Sequence, residues 1–267
     1  VVNAVALDLG ASTIGGNLVA TAVLGGITDA GVLTITGASA FTTNADDADI
    51  NLNNTSNEFT SAVTITTNGT SGDATISAGS SAGLIFAAST IDGNLIVTSG
   101  HATGITQEGV LTVLGTSSFT TSANNATIIL DTTTNTFTGA LTITTNDDVG
   151  ADAHATIDGG TTKLIIAAST IDGDLTIRTG NAADTSGITD APGEIVTVGG
   201  NLSVTNDVDD GDIDMGTLAV TGSIALNTQA SGGNAAVTNA TALKLAASTV
   251  GGTLGVTATT GNITQSG

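Results

Sequence analysis

The nonapeptide AASTIDGNL at residues 87–95 returns as AASTIDGDL at 167–175. Extended both ways it becomes a series. STIGGNL begins at Ser12, STIDGNL at Ser89, STIDGDL at Ser169 and STVGGTL at Ser248, with spacings of 77, 80 and 79 residues. Other markers keep step. SAFTT and SSFTT carry Phe41 and Phe119, TSNE and TTNT precede Phe59 and Phe137, and GITDAG (26–31), GITQEG (104–109), GITDAPG (187–193) and NITQSG (262–267) recur in phase. Internal repeats with small insertions mark stacked architectures, in which one unit buries its apolar face only against the next. The units run 12–88, 89–168 and 169–247, with a partial unit at 248–267 and the tail of a preceding one at 1–11. The span 1–267 thus reads as one continuous segment. The third unit diverges most, and Leu202 and Leu218 are expected where its aromatics would fall.

Within a unit the pattern is that of strands. LIVTS, VLTVLG, SSFTTS, TIILD, ALTITT and KLIIA are short β-branched runs, punctuated by Gly, Asn, Asp and Thr. No stretch combines a cap with a 3.6-residue apolar period, so no helix is expected. Two all-β folds compete. A tandem of sandwich domains needs aromatic cores and turn prolines, whereas this chain has no Trp, no Tyr and one Pro. A β-solenoid has a thin interior that suits stacked Val, Ile, Leu and Ala, with polar ladders at its corners. The solenoid is therefore expected. A coil of three strands and their turns takes roughly 20–25 residues, so the chain would make about twelve coils. At ~4.8 Å per coil the rod would be on the order of 55–60 Å long. Ile91, Leu95, Val97, Leu111, Val113, Phe119, Ile128, Phe137, Leu141, Ile143 and Leu164 are expected to point inward.

Composition removes several functions. Against 24 acidic residues stand only Lys163, Arg178 and Lys244, for a formal charge of −21. Nucleic acid binding needs clustered cations that displace counterions from phosphate, and anionic lipid needs the same. Neither partner is expected. A mean hydropathy of +0.34 argues against disorder despite the charge. With no cysteine there are no disulfides, thiolate metal sites or Cys nucleophiles. No run approaches the ~18 apolar residues of a membrane span, so no membrane insertion is expected. The chain opens on Val1 without an initiator Met or a signal pattern, which marks it as a mature chain or an excised segment.

The run STIDGNLIVTSGHATGITQEGVLTVLGTSSFTT (89–121) resembles the repeats of filamentous-haemagglutinin-like and autotransporter-like bacterial surface proteins. The likeness rests on the Ser-x-Ile, Gly-x-Leu, Gly-Ile-Thr and Ser-x-Phe-Thr markers and extends over nearly the whole chain. It implies a right-handed parallel β-helix that projects from a cell as an adhesin or fibre, and hence an extracellular or cell-surface location. The secretion cap and membrane barrel of that family are not in this sequence.

Several features invite chemistry. GSSAG (79–83) matches the Gly-x-Ser-x-Gly elbow, with Ser81 at its centre. That elbow works only at a strand-to-helix turn with His and acid converging on it, and no helix follows here. His101 and His154 lie far apart in turn-like segments, which predicts solvated loop residues rather than metal ligands. The acidic clusters NADDADIN (44–51), NDDVGAD (146–152) and NDVDDGDID (206–214) concentrate carboxylates, the last through Asp207, Asp209, Asp210, Asp212 and Asp214. Calcium takes six to eight oxygens, yet neither the EF-hand order nor the Gly-Gly-x-Gly-x-Asp repeat is present. Solvated charge that blocks sideways aggregation is expected, with structural calcium as the alternative and no cofactor otherwise required. Asn53, Asn54, Asn68, Asn125, Asn201, Asn239 and Asn262 begin Asn-x-Ser/Thr sequons, as so Thr-rich a chain would by composition alone. A polysaccharide-active β-helix enzyme would need aromatic sugar platforms with paired carboxylates or basic residues, and Arg178 is the only arginine.

The expected function is a non-catalytic structural segment of an extracellular fibre or adhesin stalk, with no catalytic, cofactor or metal residues. The alternative is an adhesin module that binds a glycan or host protein through loops on one flank, suggested by the longer TGNAADTSGITDAPG (179–193) with Pro192. VALDLGAST (5–13) matches TALKLAAST (241–249), and NITQSG stops where an earlier copy continues. Both ends thus fall inside the repeat. The expected partners are flanking repeats of a longer chain, or further copies of this one, stacked end to end.

Overall fold

A computed structural model describes residues 1–148, 150, 152–180, 187–229 and 232–266, and the regular elements among them are all β-strands. The ladders between strands are parallel. They form sheets of 16 and 14 strands and a small one of 3, making a β-solenoid of about twelve coils. Ladder partners on successive coils lie 19 to 27 residues apart, from Val2 against Thr21 to Ile128 against Ala155. The β-branched composition drives this arrangement, since stiff Val, Ile and Thr side chains pack well on a pleated surface.

Each coil has two sides. One is a straight strand such as Leu18–Ala22 or Leu95–Ser99, and the other is a bent pair such as Leu84–Phe86 and Ser89–Ile91. Along the first unit the sides run straight, bent, straight, bent, straight, straight, bent: Leu18–Ala22; Ile27–Asp29 with Leu33–Ile35; Ser39–Asp46; Ile50–Leu52 with Glu58–Phe59; Val63–Asn68; Ala74–Ala78; and Leu84–Phe86 with Ser89–Ile91. Seven sides make three and a half coils. Each unit therefore begins on the side opposite the previous one. The junctions show the exchange, because the straight Val63–Asn68 pairs with both arms of the next bent side, Val63 with Phe86 and Thr66 with Thr90. One unit later Leu141–Thr144 does the same, Leu141 with Ile166 and Thr144 with Thr170, in the other large sheet.

The four sequence markers each perform a step in stacking. The Ser of Ser-x-Ile donates its hydroxyl two residues back and accepts an N–H from the previous coil. Ser89 bonds to Ala87 O and receives Ile65 N at 3.0 Å, Ser169 receives Ile143 N at 3.0 Å, and Ser248 receives Leu226 N at 3.0 Å. In Gly-x-Leu the middle residue caps the next coil: Asn17 accepts from Ala38 N, Asn94 from Thr116 N and Asp174 from Asn201 N. The Gly of Gly-Ile-Thr leaves room for that coil's backbone. A Cβ on Gly26, Gly104 or Gly187 would stand 2.5, 1.9 or 2.1 Å from the carbonyl of Asp49, Thr127 or Asp212, and that carbonyl accepts from the Ile N–H beside it. Ser-x-Phe-Thr packs the interior and closes a corner. Phe119 and Phe137 meet edge to face at 6.2 Å, as Phe41 and Phe59 do at 6.1 Å, while Thr43 and Thr121 donate to the carbonyls of Ala48 and Ala126.

All eleven residues expected inside, from Ile91 to Leu164, are fully buried. Leu202 and Leu218, however, do not replace the third unit's aromatics. Phe119 stands over Val97, and in the next unit Val204 stands over Ile177; likewise Phe137 stands over Val113 and Val220 over Val198. Val204 and Val220 are thus the replacements. Leu202 occupies the place of Ser39 and Ser117, so the pair Ser and Phe becomes Leu and Val. One position grows and the other shrinks, so the change in volume is largely offset, as close-packed interiors require. Leu218 takes the place of the buried Asn57 and Asn135, whose amides cap Leu33 and Leu111 N–H at 2.8 and 2.9 Å.

Outside, threonines stack in files. Thr21, Thr42, Thr66, Thr90, Thr112 and Thr136 are ladder partners on six successive coils. On the opposite side Thr98, Thr120, Thr144, Thr170 and Thr197 form the equivalent file.

Candidate functional site

The acidic clusters sit at the corners, where the backbone turns from one side to the other. Asp47 and Asp210 take φ of 61° and 60°, as does Asn125 at 60°. Short polar side chains tolerate this left-handed conformation best after glycine. Several carboxylates of these clusters are engaged. Asp47 accepts from Thr70 N at 2.8 Å and Ser71 N at 2.9 Å, and these backbone bonds hold its carboxyl below the usual carboxylate range. Asp49 accepts from Asp73 N, Asp148 from the Asn124 amide, and Asp212 from Asn234 N at 2.7 Å. Several of these aspartates are therefore coil-to-coil caps rather than merely solvated charge. Asp209, Asp210 and Asp214 are exposed, and Asp207 pairs with the Arg178 guanidinium. Val149 and Ala151, within the second cluster, lie outside the described residues. Among the described residues no group of three or more His, Asp or Glu is placed to hold a metal ion.

The remaining sequence candidates are dispersed. Ser81 lies at an exposed bend, its N–H donating to the Glu58 carboxylate at 3.1 Å. His101 Nδ1 is 2.8 Å from the Thr103 hydroxyl, and His154 Nδ1 accepts from Asp174 N at 2.8 Å. No hydrogen bond joins Ser81 to either imidazole among the described residues. Asp158 is 6% exposed and accepts from Gly160 N at 2.7 Å; burial pushes its carboxyl above the usual range. The sequons divide by burial. Asn239 is buried with its amide donating to Val220 and Ala242 carbonyls, whereas Asn53, Asn125 and Asn262 are exposed.

A concave surface lies on the third unit. Where the first two units turn through Asp29-Ala30-Gly31-Val32 and Gln107-Glu108-Gly109-Val110, the third has two residues more, Asp190-Ala191-Pro192-Gly193-Glu194-Ile195. The longer turn is tied down. Asp190 accepts from Gly216 N at 3.0 Å and Thr217 N at 2.6 Å, Glu194 accepts from Ala168 N at 2.7 Å, and the Thr217 hydroxyl sits between Asp190 and the Glu194 carbonyl. On one side of it a depression of about 440 Å³ is lined by Lys163, Thr189, Pro192 and Asp214. On the other an apolar groove of about 220 Å³ is lined by Ile195, Leu218, Ala219 and Ala240. Gly216 and Thr217 line both, so the two adjoin, with the tied turn between them. The groove exists because the threonine file stops: Thr197 is followed by Ala219, and the pairing of Leu218 with Asn239 sets Ala240 over Ala219.

The flank 179–193 that stood out in the sequence thus supplies one wall through Pro192. Residues 181–186 of that flank lie outside the described residues. The alanine floor was missed. Ala219 and Ala240 are 21 positions apart and become neighbours only once the ladder register is known.

These features define a repeat-built parallel β-solenoid scaffold with one modified unit. The chain belongs to the family described as repeats of unknown function (DUF5649), whose sequence model matches residues 1–66, 71–144 and 232–267. The stretch between the second and third matches, 145–231, contains the Pro192 turn and most of the groove lining. No curated protein and no solved structure matches the chain.

Proposed function

We propose that this chain is a non-catalytic structural segment of an extracellular fibre or adhesin stalk, a rigid stacked scaffold that holds other parts of the assembly away from a microbial cell surface. The observation that supports it is the uniformity of coil-to-coil recognition. The same Ser, Asx and Gly devices recur at each unit, so the scaffold lengthens by adding coils, from flanking repeats or from further copies stacked end on. The high negative charge keeps such rods apart and soluble. The likeness of 89–121 to filamentous-haemagglutinin-like and autotransporter-like repeats supports the surface setting, and no nucleic acid or membrane partner fits a chain with three basic residues.

The test has two parts. Small-angle scattering of the purified chain should give a rod on the order of 55–60 Å long at ~4.8 Å per coil. Antibodies raised against it should label intact cells of the source organism, and external protease should remove the label. A compact particle, or labelling only after lysis, would overturn the proposal. The adjoining concavities of the third unit favour a second reading, in which the rod also carries a glycan- or host-protein-binding site on one flank.

A further inference from the structure

We infer that the two adjoining concavities beside the Pro192 turn together bind a neutral oligosaccharide chain running along the axis of the rod. This rests on the second reading above, that the rod carries a binding site, and it names the site and the ligand class.

Three departures from the repeat pattern meet here: the two-residue insertion, the bare Gly216, and the alanines that interrupt a threonine file. The insertion, Gly216 and Ala219 fall within 145–231, the stretch the family pattern does not match, and Ala240 lies just beyond it. Scattered drift would not place them side by side. Insertions in solenoid repeats map to one face, often the binding face.

The chemistry of the lining selects the ligand. Lys163 is the only cation, and the exposed Asp214 lies with it in the same depression. With a net charge of −21 over the chain, a nucleic acid, sulfated glycan or polyuronate is repelled. Peptide binding by strand addition needs a free sheet edge, and the groove lies on the flank, where strands are already paired above and below. What remains is a row of hydroxyls and methyls. Thr189, Thr238 and Thr259 offer hydroxyls on three coils of the stack, and Pro192, Ile195 and Ala240 offer aliphatic surface. Sugar rings present the same alternation of hydroxyl rims and apolar faces. The two concavities together span coils from Lys163 to Thr259, four steps of ~4.8 Å, or about 19 Å, long enough for several linked sugars.

The experiment is a printed array of neutral oligosaccharides (glucans, mannans, xylans and N-acetylglucosamine oligomers) with sulfated and uronate glycans alongside, followed by titration calorimetry with the best binder. Gly216→Val and Ile195→Asp should each weaken binding at least about tenfold, as expected for residues central to a contact. Thr42→Val, on a distant file, should leave it unchanged. A Cβ on Gly216 meets nothing within 4 Å, so Gly216→Val should unfold at the same temperature as the parent. Absence of binding to any neutral oligosaccharide overturns the inference. So does preference for an anionic glycan or a protein, or binding that survives both substitutions. Each of these failures leaves the rod shape, and with it the structural proposal, untouched.

Discussion

Phe137 shows how much depends on single interior positions in so thin a molecule. It is fully buried and meets Phe119 edge to face, a geometry favourable beyond area burial alone. Phe137→Ala should cost ~3–5 kcal/mol, since neighbouring coils cannot collapse into the space. Denaturant titration would show a lower midpoint, and an unchanged midpoint would mean that the ring is not packed as described. Asp158 makes a different prediction. Burial raises its carboxyl pKa, so the folded state favours its protonated form. It therefore opposes folding at neutral pH, and that opposition is relieved as pH falls through the raised value towards the ordinary carboxylate range. Asp158→Asn, which keeps an acceptor for Gly160 N–H, should stabilise the chain at pH 7 and remove this gain. Asp47 acts with the opposite sign: its lowered pKa supports folding above the ordinary carboxylate range, and the support is lost as pH falls through the lowered value. Thermal melts of parent and Asp158→Asn from pH 7 to about 2 separate the two effects, since the Asp158 window lies above the ordinary carboxylate range and the Asp47 window below it.

At the scale of the element, the strands were legible and their assembly was not. LIVTS is the strand Leu95–Ser99, and ALTITT contains Leu141–Thr144. Period-2 alternation of branched residues is a local signal, so it survives without a structure. The seven-sided repeat is not local. It depends on which strand lies over which, and one sequence does not state its own register. The displaced assignments of Leu202 and Leu218 have the same origin: the Ser/Phe to Leu/Val exchange is visible only when Val204 is seen over Ile177. The alanine floor of the groove was hidden likewise. The buried Asn135 joins coils in a way that can be tested. Its side chain accepts from Leu111 N and donates to the Leu130 and Asp158 carbonyls. Asn135→Ala leaves these groups unpaired, at ~1–3 kcal/mol for a buried orphan. Asn54→Ala, at a half-buried position of the same corner type, should cost less. Equal losses in paired urea titrations would refute the capping role.

The whole molecule is a stack of near-identical layers carrying one sign of charge. Acidic caps on successive coils are about 4.8 Å apart along the axis, well inside the Debye length of ~8 Å at physiological ionic strength and ~30 Å at 0.01 M. Mutual repulsion therefore opposes the stack most at low salt. Raising sodium chloride from 0.01 to 0.15 M should raise the melting temperature, and a melting temperature that falls or stays level would show that the caps offset their own repulsion locally. Because each coil touches only its neighbours, denaturation should be that of a linear array, with local defects felt mainly nearby.

The half-coil in each unit also constrains how such a gene can grow. Inserting or losing one copy of the unit turns everything beyond it to the opposite flank, whereas inserting two preserves its direction. A loop acquired once and then copied with its unit would point alternately left and right along the solenoid. Lineages that need all their loops on one flank must therefore duplicate in pairs, and those that duplicate singly produce a two-faced solenoid.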